Sequence, residues 1–211
     1  MKISVSYLSS KYEKRKTLEL IEATTADYIH VDLMDGGFVP KKNFTIDEVL
    51  ELLNDCEKPL DIHLMVFDPI LYIDELAKLN PEYITFHVEA TKDVVKTIEK
   101  IKEHGIKVGL SIKPNTDLYE LMPYLTLIDL VLIMSVEPGE GGQEFLLESP
   151  HRLQELLKVR EENHLSFQIE MDGGINDETI LLVPELDIVV SGSFICRSDH
   201  YQEQIYKLLG K

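Results

Sequence analysis

Short apolar runs rich in β-branched and aromatic residues alternate with segments of helical periodicity along the whole chain. Apolar runs of this length, bounded by turn residues, are typical of buried strands. The predicted strands are Lys2–Tyr7, Tyr28–Met34, Leu60–Val66, Tyr83–Glu89, Lys107–Lys113, Ile128–Val136, Phe167–Asp172 and Asp187–Ser193. Between them, apolar residues three and four positions apart predict helices, for example over Leu71–Lys78, Val94–Ile101, Leu153–Arg160 and Tyr201–Leu209.

Eight strands, each followed by a helix, predict a (β/α)8 TIM barrel. The 211 residues suit one domain of this kind, and no linker or low-complexity tract divides the chain. We therefore predict a single α/β domain over residues 1–211. An open, doubly wound sheet is the alternative, but it usually has fewer strands and often a GxGxxG turn after the first strand. Neither feature is present.

The second predicted strand, Tyr28–Met34, carries unusual polar residues. Side chains alternate along a strand, so His30, Asp32 and Met34 share one side of it. A buried aspartate is rare unless it is paired or bound to a metal. This side of the strand therefore indicates a reaction centre rather than ordinary core packing.

Other chemically capable residues also fall at or near the ends of predicted strands. They are Ser6, His63, Met65, His87, Glu89, Met134, Asp172, Ser191 and Ser193. In a barrel, the chemistry is carried by the C-terminal ends of the strands and by the loops that follow them. Because core residues would not collect at one end of the strands, the pattern predicts a functional site there.

Two imidazoles and two carboxylates, from His30, Asp32, His63 and Asp172, are expected to converge near the barrel mouth. A mixed nitrogen and oxygen set suits one divalent ion of the Zn, Fe, Mn or Co kind better than Mg²⁺ or Ca²⁺. The alternative is that the histidines are core residues bonded to backbone. Glu170 lies two residues before Asp172 and faces the same way, so we expect it to orient that ligand. Asp61 lies two residues before His63 and is expected to orient His63 in the same way.

Glycine-rich turns follow the last three predicted strands, at Pro138–Gln143, Asp172–Ile175 and Ser191–Ser193. Consecutive backbone N–H groups in such turns form concave anion sites. The loops after strands seven and eight of a barrel are a recurrent phosphate site. Together, these turns predict a barrel of the phosphate-binding type.

Three methionines, Met34, Met65 and Met134, lie near the ends of three different strands. Methionine most often fills core space. An apolar patch beside two carboxylates would also exclude water and raise a carboxyl pKa towards the range useful for proton transfer. Both interpretations stand at this point.

Composition limits the partners and the location. The formal net charge of −17 argues against nucleic acid or an anionic membrane as a partner. It leaves a phosphorylated substrate open, because backbone N–H groups bind phosphate without basic side chains. The chain has no signal region, no bilayer-spanning run and no CxxC pair. We therefore expect a cytoplasmic protein with two free thiols.

Several motifs together resemble the ribulose-phosphate 3-epimerase family. They are His30–Gly36 with Phe38–Pro40, Asp61–Val66, Thr85–Ala90, Val108–Pro114, Met134–Gly139 with Gly141–Phe145, Asp172–Asn176 and Ser191–Ser193. The resemblance runs in register from about residue 2 to residue 198 and covers seven of the eight strand ends. As a set, these motifs are highly specific.

The resemblance implies an enzyme that inverts C3 of a ketose phosphate, first of all D-ribulose 5-phosphate, through a cis-enediolate. It assigns the metal to His30, Asp32, His63 and Asp172, and acid/base catalysis to Asp32 and Asp172. The implied substrate-binding residues are Ser6, Met34, Met65, Met134, Gly141, Gly142, Gly173, Gly174 and Ser193. Family members generally form homo-oligomers, which we also expect here.

The chain departs from the family pattern at three residues, and its turn between strands seven and eight looks a residue or two shorter than the family's. Val5 stands where the family usually has proline, Gly37 where it often has histidine, and Glu140 where it usually has an aromatic residue. A carboxylate near a phosphate dianion costs affinity unless it points into solvent. These departures leave open whether the ketose has five carbons or six, as in allulose 6-phosphate.

Two further classes of function remain as alternatives. A phosphate-barrel lyase or aldolase would use Lys113, at the end of strand five, as a Schiff-base lysine. A barrel that only binds a sugar phosphate would need no acid/base pair, and the presence of Asp32 and Asp172 argues against it.

Overall fold

The computed structural model describes residues 1–211 as a closed barrel of eight parallel strands in chain order, which confirms the predicted architecture. The strands are β1 (Lys2–Ser6), β2 (Tyr28–Met34), β3 (Leu60–Met65), β4 (Tyr83–His87), β5 (Lys107–Ile112), β6 (Leu130–Met134), β7 (Gln168–Asp172) and β8 (Ile188–Ser191). All of them except β2 are shorter than predicted, by one or more residues at one or both ends.

Seven α-helices lie among and after the strands. They are α1 (Lys14–Glu22), α2 (Ile46–Leu53), α3 (Ile73–Leu76), α4 (Val94–Glu103), α5 (Ser149–Glu162), α6 (Ser193–Cys196) and α7 (Tyr201–Leu208). Helix α2 begins with a complete capping box, in which Thr45 and Glu48 bond each other's backbone N–H groups. Helix α7 is followed by Gly210 at φ +66°, a left-handed conformation that commonly follows the end of a helix.

The expectation of a helix after every strand is wrong at β5 and β7, where only 3-10 segments follow. The first, Leu118–Tyr124, contains Pro123, which removes a backbone donor. The second, Thr179–Leu182, ends just before Val183, and the following Pro184 disfavours an α conformation at that residue. Proline therefore limits both segments to short turns.

The two sides of β2 show how the core is divided. Ile29, Val31 and Leu33 belong to the main cluster of 48 buried residues, which joins the outer side of the barrel to the helices. The alternate residues His30 and Asp32 are buried on the inner side. The strand therefore carries apolar packing on one side and chemistry on the other.

Register between β2 and β3 positions the inner side chains. His30 pairs with Asp61, Asp32 with His63, and Met34 with Met65. Side chains of paired residues in neighbouring strands lie side by side. The predicted histidine, aspartate and methionine positions are thus stacked in three levels along one strand pair.

No helix in the structure combines the length and the apolar character that crossing a membrane requires. Both cysteines are free thiols, with Cys196 buried and Cys56 half-buried. Four of the seven histidines are exposed: His104, His151, His164 and His200.

Candidate active site

The structure brings together the four side chains that the sequence singled out as metal ligands. One donor atom each from His30, Asp32, His63 and Asp172 lies within 4.8 Å of the other three. Asp32 Oδ1 is central to the group, 3.4 Å from His30 Nε2 and 3.3 Å from His63 Nδ1. The two histidines and Asp32 are buried, and Asp172 is partly exposed at the barrel mouth.

The donor set fits a divalent cation. His30 Nε2 is buried beside the carboxylates and has no hydrogen-bond partner, which is costly unless its lone pair has another use. Two imidazole nitrogens and two carboxylates form the mixed set that Zn, Fe, Mn and Co accept. This cluster could therefore hold a metal ion.

Asp61 holds His30 from below the cluster. Its Oδ2 atom lies 2.7 Å from His30 Nδ1 and also accepts a 2.7 Å hydrogen bond from Ser4 Oγ. The sequence-based pairing of Asp61 with His63 is wrong, because His63 Nδ1 faces Asp32 and its Nε2 faces His87. The neighbour of Asp61 across the strands is His30.

Glu170 lies with this lower pair. Donor atoms of Glu170, Asp61 and His30 lie within 4.8 Å of one another. Glu170 is fully buried, and burial together with the Asp61 charge raises its pKa well above the usual value. A carboxyl group held in its protonated form beside Asp61 limits the negative charge that the barrel interior carries.

His63 is held by His87 and Glu89, which the sequence placed at a strand end without a specific role. Its Nε2 atom lies 2.9 Å from Nε2 of His87, and His87 Nδ1 lies 3.5 Å from Glu89 Oε2. If His63 Nδ1 gives its lone pair to a cation, Nε2 must carry the hydrogen and donate it to His87. The hydrogen of His87 then sits on Nδ1 and faces Glu89.

The sequence contained a signal for these contacts from His63 to His87 and on to Glu89. His87 and Glu89 are two positions apart at the end of β4, as His30 and Asp32 are two apart on β2. Burial lowers the pKa of His87 to about 4, so its imidazole is neutral and can accept the hydrogen bond.

The two aspartates of the cluster have opposite pKa shifts. Burial raises the pKa of Asp172 to about 7, and the Asp32 charge adds to the rise. Burial would also raise the pKa of Asp32, but the His30 and His63 imidazoles outweigh it and lower the value. One carboxyl is therefore suited to hold a proton at neutral pH while the other accepts one.

A cleft of about 520 Å³ opens above the cluster. Its lining includes every residue that the sequence assigned to substrate binding, namely Ser6, Met34, Met65, Met134, Gly141, Gly142, Gly173, Gly174 and Ser193. The three methionines are almost fully buried and form an apolar floor. Ser6 Oγ donates a 2.7 Å hydrogen bond to Asp32 Oδ2.

Glycine is required in the loops of the cleft because there is no space for a side chain. A Cβ atom at Gly141 would lie 1.9 Å from Ser9 Oγ, and one at Gly174 would lie 2.5 Å from the backbone nitrogen of Phe145. Gly174 also has φ +65°, which other residues rarely adopt. Ser9, on the β1–α1 loop, had no role in the sequence analysis.

A sequence model of the ribulose-phosphate 3-epimerase family matches residues 2–196. The chain belongs to this family. A ribulose-phosphate 3-epimerase of Mycobacterium tuberculosis is 39% identical, with 82% of this chain and 77% of the relative covered. One of Bacillus subtilis is 34% identical over all of this chain and 99% of the relative. The chain is therefore an isomerase that acts as a ketose-phosphate 3-epimerase.

Solved structures with low sequence identity share the epimerase fold. KGPDC from Streptococcus mutans has a TM-score of 0.70 and 13% identity, covering 99% of this chain and 95% of that one. 3-Hexulose-6-phosphate synthase from Salmonella typhimurium has a TM-score of 0.68 and 15% identity, covering 99% and 96%. These likenesses show the barrel alone.

The three departures from the epimerase pattern have different surroundings. Val5 is fully buried in the main core. The Gly37 N–H donates a 2.8 Å hydrogen bond to Asp35 Oδ1 within the β2–α2 loop. Glu140 is exposed on the rim of the cleft.

Lys113 does not line the cleft. Its ammonium group lies 3.9 Å from the centre of the Phe38 ring, a cation–π contact. This position gives no support to a Schiff-base lyase in the epimerase cleft.

Proposed function

We propose that this chain interconverts D-ribulose 5-phosphate and D-xylulose 5-phosphate in a metal-dependent reaction, with Asp32 and Asp172 as the two proton carriers. The observation that carries the proposal is their shared position in the lining of one cleft, with their carboxylates in one cluster beside His30 and His63. Inversion at carbon needs one group to remove a proton from one face and another to return one to the opposite face.

In the proposed reaction, the ionised aspartate removes the C3 proton and the protonated aspartate delivers a proton to the other face of the enediolate. After each turnover the proton states of Asp32 and Asp172 are exchanged, which suits a reversible reaction. Ser6 holds Asp32 Oδ2, so that only limited rotation of this carboxylate is possible. The methionine floor excludes water from the carbanion-like intermediate.

A divalent ion held by His30, Asp32, His63 and Asp172 would polarise the substrate carbonyl and stabilise negative charge on the enediolate oxygens. The same ligands accept Zn, Fe, Mn or Co, so metal availability decides which one is bound. Asp61 and His87 keep the two imidazoles in the orientation and tautomer that ligation needs.

The phosphate of the substrate is proposed to bind the backbone N–H groups of the glycine loops. Gly142 and Gly174 have positive φ, a conformation in which successive N–H groups turn towards one concave face. The other residues assigned to this site are Gly141, Gly173 and Ser193, which line the same end of the cleft.

Incorporation of solvent deuterium tests the proposal. The metal-loaded protein is incubated in D₂O with D-ribulose 5-phosphate, and NMR follows deuterium at C3 and the formation of D-xylulose 5-phosphate. We expect both. Exchange and inversion that are faster on allulose 6-phosphate would assign the enzyme to the six-carbon substrate. Absence of exchange on both sugars would refute the acid/base roles and favour a barrel that only binds sugar phosphates.

A further inference from the structure

The loop Pro138–Gln143 has a second, outer pocket behind it. This open pocket shares Ser9 and Gly141 with the central cleft, so the two spaces adjoin at the glycine loop. Three cationic side chains line it, those of Lys11, Lys41 and Arg197. In a chain of net charge −17, three cations around one small pocket mark a local reversal of charge.

Arg197 is the cation nearest to the glycine loop. It follows α6, one helical turn after Ser193, and its backbone N–H donates to the Ser193 carbonyl. A Cβ atom at Gly142 would lie 2.7 Å from one guanidinium nitrogen of Arg197 and 3.4 Å from the other terminal nitrogen. The guanidinium therefore lies directly against the backbone proposed to bind phosphate.

The charges of these cations are not equally available. Lys11 forms an ion pair with Asp199, which also accepts a hydrogen bond from Tyr12. Arg197 and Lys41 form no ion pair. Glu140, on the same rim, lies beyond ion-pair distance of both. Arg197 is thus a free guanidinium beside an anion-binding loop.

We propose that Arg197 strengthens binding of the substrate's phosphate dianion by holding its positive charge against Gly142, on the outer side of the glycine loop. This inference rests on the proposed function. A guanidinium carries a full positive charge, which backbone N–H groups alone do not supply. The positive charge of Arg197 also offsets the Glu140 carboxylate and the net negative charge of the chain, both of which repel a phosphate dianion.

The test uses metal-loaded Arg197→Gln and Arg197→Lys, with Lys102→Gln as the control. Lys102 lies near the end of α4, at the opposite end of the barrel from the cleft, and its substitution removes the same charge. Three quantities are measured: the Kd of inorganic phosphate by calorimetry, and kcat and KM for the ketose phosphate.

We expect Arg197→Gln to raise KM and the Kd of inorganic phosphate by about tenfold each, with kcat changed less than about twofold. Arg197→Lys should recover part of both losses, and Lys102→Gln should change neither. Unchanged KM and phosphate affinity in Arg197→Gln would overturn the inference. Lower kcat and melting temperature with unchanged phosphate affinity would also overturn it, and would make Arg197 a packing residue.

Failure of the proposed function gives a different result. If the parent protein binds inorganic phosphate through Arg197 but exchanges no C3 proton, the anion site stands and the epimerase chemistry on that sugar does not. If the parent protein epimerises the sugar and Arg197→Gln has the same KM and the same phosphate affinity as the parent, only the role of Arg197 is refuted.

Discussion

Asp61 Oδ2 lies 2.7 Å from His30 Nδ1, deep inside the barrel and below the cluster of possible metal ligands. Ser4 Oγ donates a hydrogen bond to the same oxygen, so Asp61 is the acceptor in both contacts and His30 Nδ1 carries the hydrogen. A cation bound to His30 would then take the lone pair of Nε2, the nitrogen that faces Asp32.

Asp61→Asn should weaken metal binding by about 10- to 100-fold, because an amide neither fixes the tautomer of His30 nor raises its basicity as a carboxylate does. Titration with Zn²⁺ or Co²⁺ against a competing chelator measures the change. Ser4→Ala is the matched control, since it removes the other contact to the same oxygen and leaves His30 in place. An equal loss in both variants would assign the effect to general disturbance of the barrel interior.

Asp172→Asn should lower kcat by about 10²- to 10⁴-fold and leave the fold largely intact. With Asp32 unchanged, the variant should still exchange the C3 proton of one epimer with D₂O, on the face that Asp32 reaches, without inverting it. NMR of each epimer incubated separately measures this exchange. Near-normal inversion would remove Asp172 from proton transfer.

Asp32→Asn is expected to lose turnover in the same way, with any residual exchange confined to the other epimer. Asp177→Asn is the control for both substitutions. It changes an exposed carboxylate on the β7–β8 segment and should leave kcat unaltered.

Removal of the metal should destabilise the protein. A cation present at about 100 times its Kd contributes about 2.7 kcal/mol, which corresponds to a melting temperature lower by roughly 5–10 °C after chelation in a chain of this size. Calorimetry with and without chelator measures the shift, and added Zn²⁺ or Mn²⁺ should reverse it. His63→Gln should show little metal-dependent shift. A shift of the parent's size in that variant would place the stabilising metal elsewhere.

Gly141→Ala should raise KM and destabilise the fold by about 0.5–1.5 kcal/mol, because Ser9 Oγ would have to rotate away from the new methyl group. Ser9→Ala in the same chain should recover most of the loss, since the next contact, with Ser9 Cβ, is 3.3 Å. Denaturant unfolding of the four proteins gives the coupling free energy between the two positions.

Gly174→Ala is the comparison for this rescue. Its Cβ would meet backbone atoms of Phe145, which no side-chain substitution can remove. If Ser9→Ala and Gly141→Ala have additive effects on the free energy of unfolding, the loops that carry the two residues are not in contact in solution.

The barrel could be predicted from the sequence because each strand is a short apolar run and each helix has its own periodicity. The convergence of His30, Asp32, His63 and Asp172 followed from one further rule, that the ends of parallel strands meet at one rim. A cytoplasmic location and a homo-oligomeric state stay predictions.

The contacts between strands and loops could not be predicted. The partner of Asp61 depends on register, which is a tertiary property of two strands, and a shift of one residue would reverse every inward position. Arg197 and Ser9 approach the glycine loop from distant segments, and no local pattern marks either residue. The 3-10 segments after β5 and β7 reflect single prolines, which the count of helices overlooked.

The register of β2 and β3 has a practical consequence for protein design. Three cross-strand pairs follow one another along these strands. His30 with Asp61 orients a ligand, Asp32 with His63 supplies ligands, and Met34 with Met65 is apolar. Grafting one strand alone onto another barrel would leave each level without its other half. The transplantable unit is the two-strand block, and changes of sugar preference are better sought in the surrounding loops.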